Sequence, residues 1–225
     1  MLSYKVYHAL HPGNSAHGGS AIIVKENLQH YEEIKYEQPE IQAVAIRLEC
    51  KHYPLTIAAV YCPPRYSISK EEYVSFLRQH GQRFIVGGDF NAKHTYWGSR
   101  LNNTKGGQLL KAIQELHCES VSTGKPTYWP TDPDRIPDLI DFFICKNIPS
   151  NEINIEDFNY MNSDHSPILL TLCRRMLRYE KRPILVNKYT DWDSLRLDLD
   201  NRIELKVPLK TTEQLDSEVR QFIVD

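Results

Sequence analysis

Short apolar stretches alternate with polar or proline-containing turns through most of this chain up to residue 173. Alternation of this kind over about four to eight residues is typical of β-strands. We therefore predict strands at residues 21–24, 43–48, 55–61, 83–86, 127–129, 139–144 and 168–172.

Helical spacing of apolar side chains interrupts the strand pattern twice, at residues 69–80 and at residues 108–117. The first of these segments starts with Ser69 and Glu72, which have the spacing of a helix-capping box. Short strands with two interposed helices predict a layered α/β or α+β sandwich and exclude a helix bundle.

The composition changes after residue 173, where basic side chains cluster and helical spacing replaces strand-like alternation. We place a boundary near residue 175, with a folded domain at residues 1–175 and a linker with helical segments at residues 176–225. Apolar residues recur at helical spacing from Trp192 to Ile203, and Thr211 with Gln214 matches the start of a short last helix. We interpret the basic cluster as a solvated part of this linker.

Composition limits the classes of function that the chain can have. The chain has 225 residues, of which 41% are hydrophobic, so it is long enough to bury a core. Its net charge of −2 provides no global basic field, so a polyanionic partner must be bound locally. Five cysteines without a CxxC pair argue against a disulfide framework or a zinc site and favour a reducing compartment. We find no apolar run long enough to cross a membrane and no signal peptide.

Two turns after strand-like segments concentrate polar side chains that could perform chemistry. The first contains Asp89 and Asn91 after two glycines, and their spacing on an extended segment places both side chains on one face. The second contains Asp164 and His165, a hard oxygen ligand beside a titratable imidazole. Each pair alone is also common in ordinary turns and loops, so the context decides.

Motifs in a fixed order along residues 3–173 resemble the exonuclease/endonuclease/phosphatase superfamily, which includes apurinic DNA endonucleases and the endonuclease domains of non-LTR retrotransposons. Several segments look most like the retrotransposon endonucleases of the jockey kind. The motifs are Gly18-Gly19-Ser20-Ala21-Ile22, Val60-Tyr61-Cys62-Pro63-Pro64, Gly88-Asp89-Phe90-Asn91-Ala92-Lys93-His94 with Trp97-Gly98, Thr127-Tyr128, Pro137-Asp138-Leu139-Ile140-Asp141 and Ser163-Asp164-His165-Ser166.

The resemblance implies a four-layer sandwich with two mixed β-sheets flanked by helices. It also implies catalytic roles for four residues. Asp89 activates or positions the attacking water, and Asn91 binds the scissile phosphate. His165 stabilises the charge that develops on phosphorus, while Asp141 accepts a hydrogen bond from its other ring nitrogen and fixes its tautomer.

Further residues match the substrate-binding and metal-binding positions of the family. Tyr61, Thr127 and Ser163 match residues that bind or line the substrate site, and Asp164 matches a residue implicated in metal binding. The implied cofactor is Mg²⁺, with Mn²⁺ as a substitute. The principal glutamate ligand of the family and its first asparagine have no counterpart here, because the first carboxylate of the chain is Glu26. We therefore expect an N-terminally truncated fragment of a polyprotein, without its first strand or strands and with weak catalysis.

The leading hypothesis is a Mg²⁺-dependent DNA endonuclease that leaves a 3′ hydroxyl for priming reverse transcription. One alternative is a catalytically dead remnant that acts as a nucleic-acid-binding or interaction module, and another is a different phosphoesterase of the superfamily. DNA and the rest of the polyprotein are the expected partners, and we expect an intracellular protein that acts in the nucleus. Candidate phosphate contacts are Arg100, Lys105, Lys125 and Arg135, each of which could equally be a solvated surface residue.

Overall fold

The computed structural model describes residues 3–13, 18–33, 35–51, 53–158, 163–173, 189–202 and 211–212. The chain divides into two compact units, residues 1–180 and residues 181–225. The first unit contains every strand and the first two helices. In the second unit, the described residues form one helix. No helix in the described part of the chain is long and apolar enough to cross a bilayer.

Eleven strands and three α-helices make up the described structure. In chain order they are β1 (Tyr4–Ala9), β2 (Ser20–Lys25), β3 (His30–Glu32), β4 (Tyr36–Glu37), β5 (Gln42–Leu48), β6 (Leu55–Tyr61), α1 (Lys70–Arg78), β7 (Phe84–Asp89), α2 (Thr104–Glu115), β8 (Glu119–Val121), β9 (Asp141–Lys146), β10 (Ile153–Asp157), β11 (Ile168–Leu172) and α3 (Trp192–Arg202). Short 3₁₀ helices lie at Thr95–Trp97 and Ser150–Glu152.

A mixed sheet of seven strands forms the centre of the first unit, in the order β3-β5-β6-β7-β9-β8, with β4 also paired to β5. Only β6 and β7 run parallel, and the other pairings are antiparallel. A parallel pair requires a crossover connection, which α1 supplies between β6 and β7. Separate antiparallel hairpins are formed by β1 with β2 and by β10 with β11.

Opposite faces of the central sheet are covered by different elements. Helices α1 and α2 pack on one face, where Phe76 and Leu109 join the inward side chains of the strands, such as Val60 and Phe142, in one buried cluster. The hairpins cover the other face: β1–β2 packs against β5, and β10–β11 packs against β7 and β9. The result is a layered α+β sandwich around a central mixed sheet, which confirms the predicted fold class.

Most of the predicted elements are confirmed. Strands β2, β5, β6, β7, β9 and β11 and helices α1 and α3 lie where the apolar patterns placed them, and helix α2 overlaps its predicted segment. The predicted capping box forms, since Ser69 Oγ accepts a hydrogen bond from Glu72 N at 3.2 Å and Ser69 N donates to Glu72 Oε2 at 2.7 Å. The helix expected at residues 211–214 falls largely outside the described residues.

Two predictions need correction. Residues 127–129 do not form a strand; Tyr128 instead makes isolated bridges with Asp138 and His165. Helix α2 begins at Thr104, four residues before the predicted start, because the Asn103 side chain caps it by accepting from Gly106 N at 2.7 Å. Strands β1, β3, β4, β8 and β10 were not predicted, since most of them are short or largely exposed.

Candidate active site

Three neighbouring strands of the central sheet bring polar residues together. Tyr61 ends β6, Asp89 ends β7 and Asp141 begins β9, and the pairing register places Asp89 directly between the other two. Side chains at matched register in a sheet lie on the same face as neighbours. This face is the one that the two hairpins cover. Because each of the three residues stands at the end or the start of its strand, their side chains lie together at one end of the sandwich.

Close approach of β7 to β6 explains why a glycine precedes Asp89. Gly88 has φ +148°, and a Cβ built on it would lie 2.0 Å from the Val60 carbonyl oxygen. Glycine is the residue type that tolerates both the positive φ and this proximity. The strand therefore reaches the edge of the site with its backbone pressed against β6.

Asp89 and Asn91 form a hydrogen-bonded pair. Asn91 N donates to Asp89 Oδ1 at 2.8 Å, and Asn91 Nδ2 donates to Asp89 Oδ2 at 2.6 Å. This turn requires φ +46° at Asn91, a left-handed conformation that asparagine adopts more easily than most residues. The two residues that the sequence pattern singled out are thus held in one fixed arrangement.

Asp141 and His165 form the second pair, with His165 Nδ1 lying 2.9 Å from Asp141 Oδ2. A carboxylate can only accept, so Nδ1 carries the hydrogen and Nε2 is the ring nitrogen left for a substrate. Thr127 fixes the backbone below this pair: its Oγ1 accepts from Ile140 N at 3.1 Å and from Asp141 N at 3.0 Å.

The loop that carries His165 is tied to the segment at Thr127. Ser166 N donates to the Thr127 carbonyl at 2.7 Å, and Trp129 N donates to the Asp164 carbonyl at 2.7 Å. The ring of Tyr128 lies 5.1 Å from the imidazole, centroid to centroid. These contacts hold His165 against β9 from a loop that is distant along the chain.

Electrostatics couple the two pairs. Burial, and next the negative charge of Asp141, raise the pKa of Asp89 to about 7. The hydrogen bond to Asp141 raises the pKa of His165 above its ordinary value. Burial, with a smaller contribution from Asp89, raises the pKa of Tyr61. Near neutral pH the site therefore holds a carboxylate that readily takes up a proton, beside an imidazole whose charged form Asp141 favours.

Asp89, Asp141 and His165 offer ligand atoms that all lie within 4.8 Å of one another. They are the group of potential metal ligands that the described residues contain. The negative charges of Asp89 and Asp141 repel each other, which contributes to the raised pKa of Asp89. A hard divalent cation suits this pair because its positive charge relieves that repulsion. The residues present therefore fit the divalent metal that the fold implies.

Sequence-predicted residues differ in how close they come to this group. Asp89, Asn91, Asp141, His165 and Tyr61 are brought together, whereas Thr127 is buried and acts through backbone contacts. Ser163 and Asp164 are exposed beside the histidine: Ser163 Oγ accepts from His165 N at 3.2 Å, and Asp164 contributes charge to the imidazole. Asp164 lies outside the group of three, so its metal role stays a prediction.

The four candidate phosphate contacts have different surroundings. The prediction that Lys105 contacts DNA phosphate is wrong, because the residue is 7% exposed and its Nζ donates to the Pro63 carbonyl at 2.7 Å. Lys125 pairs with Asp157 at 2.8 Å. Arg135 pairs with Asp132 at 3.5 Å, and Arg100 is exposed.

Sequence reasoning missed Asp138 as a residue that organises the site. Its buried carboxylate accepts from Arg100 N at 2.8 Å and Leu139 N at 3.0 Å and pairs with Lys93 Nζ at 3.0 Å. Despite burial, these contacts hold the pKa of Asp138 below its ordinary value. The carboxylate thereby joins the loop after Asn91 to the segment before Asp141. Its place in an apolar stretch, Pro137 to Ile140, was the available signal.

The fold and the site together define a member of the exonuclease/endonuclease/phosphatase class. A family model described as endonuclease-reverse transcriptase matches residues 55–169, just over half of the chain. The chain belongs to this endonuclease-reverse transcriptase family.

Relatives and solved structures agree with this assignment. The RNA-directed DNA polymerase from mobile element jockey of Drosophila funebris is 29% identical over 223 residues, 99% of this chain and 24% of the relative. The probable RNA-directed DNA polymerase from transposon BS of Drosophila melanogaster is 30% identical over 221 residues, 97% of this chain and 24% of the relative. The chain thus spans about a quarter of the length of these relatives.

Among solved structures, the endonuclease domain of TRAS1, a telomere-specific non-LTR retrotransposon, has the same fold with a TM-score of 0.63. The likeness covers 75% of this chain and 80% of that one at 24% identity. An AP endonuclease from Archaeoglobus fulgidus matches with a TM-score of 0.52 at 12% identity, over 75% of this chain and 79% of that one.

Proposed function

We propose that this chain is the endonuclease part of a retrotransposon polyprotein, and that it hydrolyses a phosphodiester bond of target DNA. The nick leaves a 3′ hydroxyl from which reverse transcription is primed, and the site of action is the nucleus. The observation that carries this proposal is the group formed by Asp89 and Asp141, at facing ends of the adjacent strands β7 and β9, and by His165 on the loop before β11. Residues 1–175 form the endonuclease domain, and residues 176–225 are a linker toward the rest of the polyprotein.

Each residue of the group has a role that follows from its partners. Asp89 in its ionised form positions the attacking water and accepts a proton from it. Asn91 holds the Asp89 carboxylate in place, and its side chain would bind the scissile phosphate. His165 donates from Nε2 to an oxygen of the phosphate as charge develops there, while Asp141 keeps the imidazole in the required tautomer. Tyr61 and Ser163 contact the substrate at the rim.

Asp89 and Asp141 would hold Mg²⁺, or Mn²⁺ in its place, with Asp164 as a further ligand on the histidine loop. A bound divalent cation supplies Lewis-acid stabilisation of the charge on the phosphate. The cation competes with protons for Asp89, because the carboxylate oxygens that would bind the cation also take up a proton near neutral pH. The relatives named as RNA-directed DNA polymerases support a nucleic-acid substrate and a polyprotein context.

Nicking of supercoiled plasmid tests this proposal. The wild-type chain is incubated with Mg²⁺, with Mn²⁺ or with EDTA, beside Asp89→Asn and His165→Asn. Asp157→Asn is the matched control, since it removes a carboxylate of β10 that pairs with Lys125. We expect metal-dependent nicking in the wild type and in the control and none in the two site variants, with nicks that a DNA polymerase can extend.

Other outcomes separate the alternatives. A folded wild-type chain that binds plasmid without nicking it would support the remnant that acts as a binding module. Release of phosphate from small phosphomonoesters, without DNA nicking, would support another phosphoesterase of the superfamily. Nicking that persists in both site variants would assign the activity to other residues and overturn the proposed roles.

A further inference from the structure

Trp129 presents a large aromatic surface to solvent directly beside the candidate active site. The residue is 47% exposed, whereas Trp97, in the buried cluster beneath the helices, is 3% exposed and stacks on Phe142 at 4.8 Å. Tyr128, its neighbour in the chain, contacts the ring of His165. What distinguishes Trp129 from the other exposed apolar side chains is its position, because its backbone and its ring are both bonded to the residues that flank His165.

The indole is held rigidly by the loop that carries the catalytic histidine. Trp129 N donates to the Asp164 carbonyl at 2.7 Å, and Trp129 Nε1 donates to Ser166 Oγ at 2.9 Å. These acceptors flank His165 on both sides. Because the backbone N–H and the indole N–H are both used, the side chain offers a partner only its aromatic face, already fixed in orientation.

An aromatic face of this kind binds another flat ring. Nucleobases stack on exposed tryptophan in a manner that tolerates any sequence, because every base has a π-face. In a paired duplex each base face is already covered by its neighbours, so a base must leave the stack before it can reach the indole. The exposed face of Trp129 therefore complements a nucleotide that is unpaired or easily unstacked.

We propose that Trp129 is a stacking platform for an unstacked base next to the cleaved phosphodiester, and that the enzyme prefers DNA with such a base at the target. This inference rests on the proposed endonuclease function and adds the form of DNA that the site selects. Trp129 thereby acts as a specificity residue: it contacts the substrate and leaves the hydrolytic step to Asp89 and His165.

Binding without cleavage tests the inference. The full chain with Trp192→Phe is titrated in EDTA with two duplexes of one sequence, one fully paired and one with a single unpaired nucleotide, while tryptophan emission is followed. Trp192 is removed because it is 58% exposed, and the buried Trp97 gives a constant background. We expect the second duplex to quench Trp129 emission and to bind about tenfold more tightly than the first.

Two substitutions sharpen the test. Trp129→Ala removes the platform, so the preference for the unpaired nucleotide should disappear while binding to the paired duplex stays within about twofold. Trp129→Phe keeps a ring without the indole N–H and should retain part of the preference. A preference of the same size in Trp129→Ala would overturn the inference, and so would equal affinity of the unsubstituted Trp129 chain for the two duplexes.

Failure of the inference is distinguishable from failure of the proposed function. Equal binding to both duplexes together with plasmid nicking would support the endonuclease function and exclude the stacking role of Trp129. If the chain neither binds the two duplexes nor nicks plasmid, both the proposed endonuclease function and the stacking role are excluded. Because the fluorescence experiment is read on the Trp129-containing chain, misfolding of the alanine variant does not decide it.

Discussion

At the scale of single residues, the hydrogen bond between Asp141 and His165 is the contact on which the proposed chemistry depends most. The imidazole lies on a loop, and a loop side chain without a partner samples several rotamers. The carboxylate of Asp141 selects one tautomer and stabilises the charged form of the ring. Its effect can be measured on the histidine itself, without an assay of activity.

Asp141→Asn should lower the pKa of His165 toward the ordinary value of about 6.5 for histidine, because the amide removes the negative charge that stabilises the imidazolium. The NMR titration of the His165 ring protons measures this change. Asp157→Asn removes a carboxylate on β10 and should leave the titration unchanged. A pKa of His165 that does not move in Asp141→Asn would contradict the role of the pair.

Thr127 shows how a buried hydroxyl can support a site that it does not contact. Thr127→Val has nearly the same shape but leaves the N–H groups of Ile140 and Asp141 without their acceptor. We expect a loss of about 2 kcal/mol in the free energy of unfolding, measured with urea, and reduced nicking. Thr131→Val, at an exposed position, should change neither. Full stability of Thr127→Val would show that another acceptor replaces the hydroxyl.

The sequence allowed these residues to be named but not to be related in space. Asp89 and Asn91 could be predicted as a pair because they are two positions apart on an extended segment. That Asp141 lies opposite Asp89 depends on strand register, which the chain encodes only through the packing of the whole sheet. Asp138 escaped prediction for the same reason, since its partner Lys93 is distant along the chain.

At the scale of elements, helix α2 is seated against the loop of Asn91 through one glycine. A Cβ on Gly106 would lie 1.9 Å from the Lys93 carbonyl oxygen, whereas a Cβ on Gly107 meets nothing within 4 Å. Gly106→Ala should therefore lower the free energy of unfolding by about 2 kcal/mol or more. Gly107→Ala should raise it by about 0.5 to 1 kcal/mol, because alanine favours the helix.

Urea unfolding of these two variants gives the comparison, and each serves as the control for the other within the same helix turn. Equal stabilities would mean that α2 does not approach Lys93 as closely as the structure has it. The loop that contains Asn91 should respond as well, so nicking should fall in Gly106→Ala and persist in Gly107→Ala.

The segment that follows α1 contains a buried histidine that links stability to pH. His80 is packed between the rings of Phe76 and Phe84, and burial lowers its pKa to about 4. The unfolded chain takes up a proton near pH 6.5, so stability is complete above this pH and is lost as the pH falls toward 4. We expect His80 alone to account for a loss of about 2 kcal/mol between pH 7 and pH 5.

His80→Phe removes this titration and should flatten the dependence of the unfolding free energy on pH in this range. His8→Gln, at an exposed position of β1, should retain the wild-type dependence. Urea unfolding at pH 7, 6 and 5 measures both variants. An undiminished loss in His80→Phe would assign the acid sensitivity to other groups.

Elements with strong local signals could be predicted, and those shaped by tertiary contacts could not. Helix α1 was located by its capping box and β6 by continuous apolar alternation. The segment at residues 127–129 has strand-like residues, yet its backbone pairs only at Tyr128, which bridges both Asp138 and His165. Such a segment is positioned by its partners, so no local pattern could distinguish it from a strand.

At the scale of the whole molecule, the sandwich explains how one end of a sheet becomes a site. The parallel pair of β6 and β7 points the ends of both strands in one direction, and the antiparallel β9 starts at the same edge. Tyr61, Asp89 and Asp141, which are far apart in the chain, therefore meet at the strand ends themselves, and only His165 is brought in by a loop. The fold class could be predicted from the order of the motifs. The separate hairpins β1–β2 and β10–β11 could not, because they are defined by strand pairing that no local pattern indicates.

The same architecture predicts that the first unit folds without the second. All three buried clusters of the described structure consist of residues between Tyr7 and Leu172. A chain that ends at residue 180 should therefore keep its cooperative unfolding, with a free energy within about 1 kcal/mol of the full chain. Urea unfolding and plasmid nicking of the two chains measure this. If the shortened chain loses cooperative unfolding, the residues after 180 contribute to the core, and the boundary proposed near residue 175 is wrong.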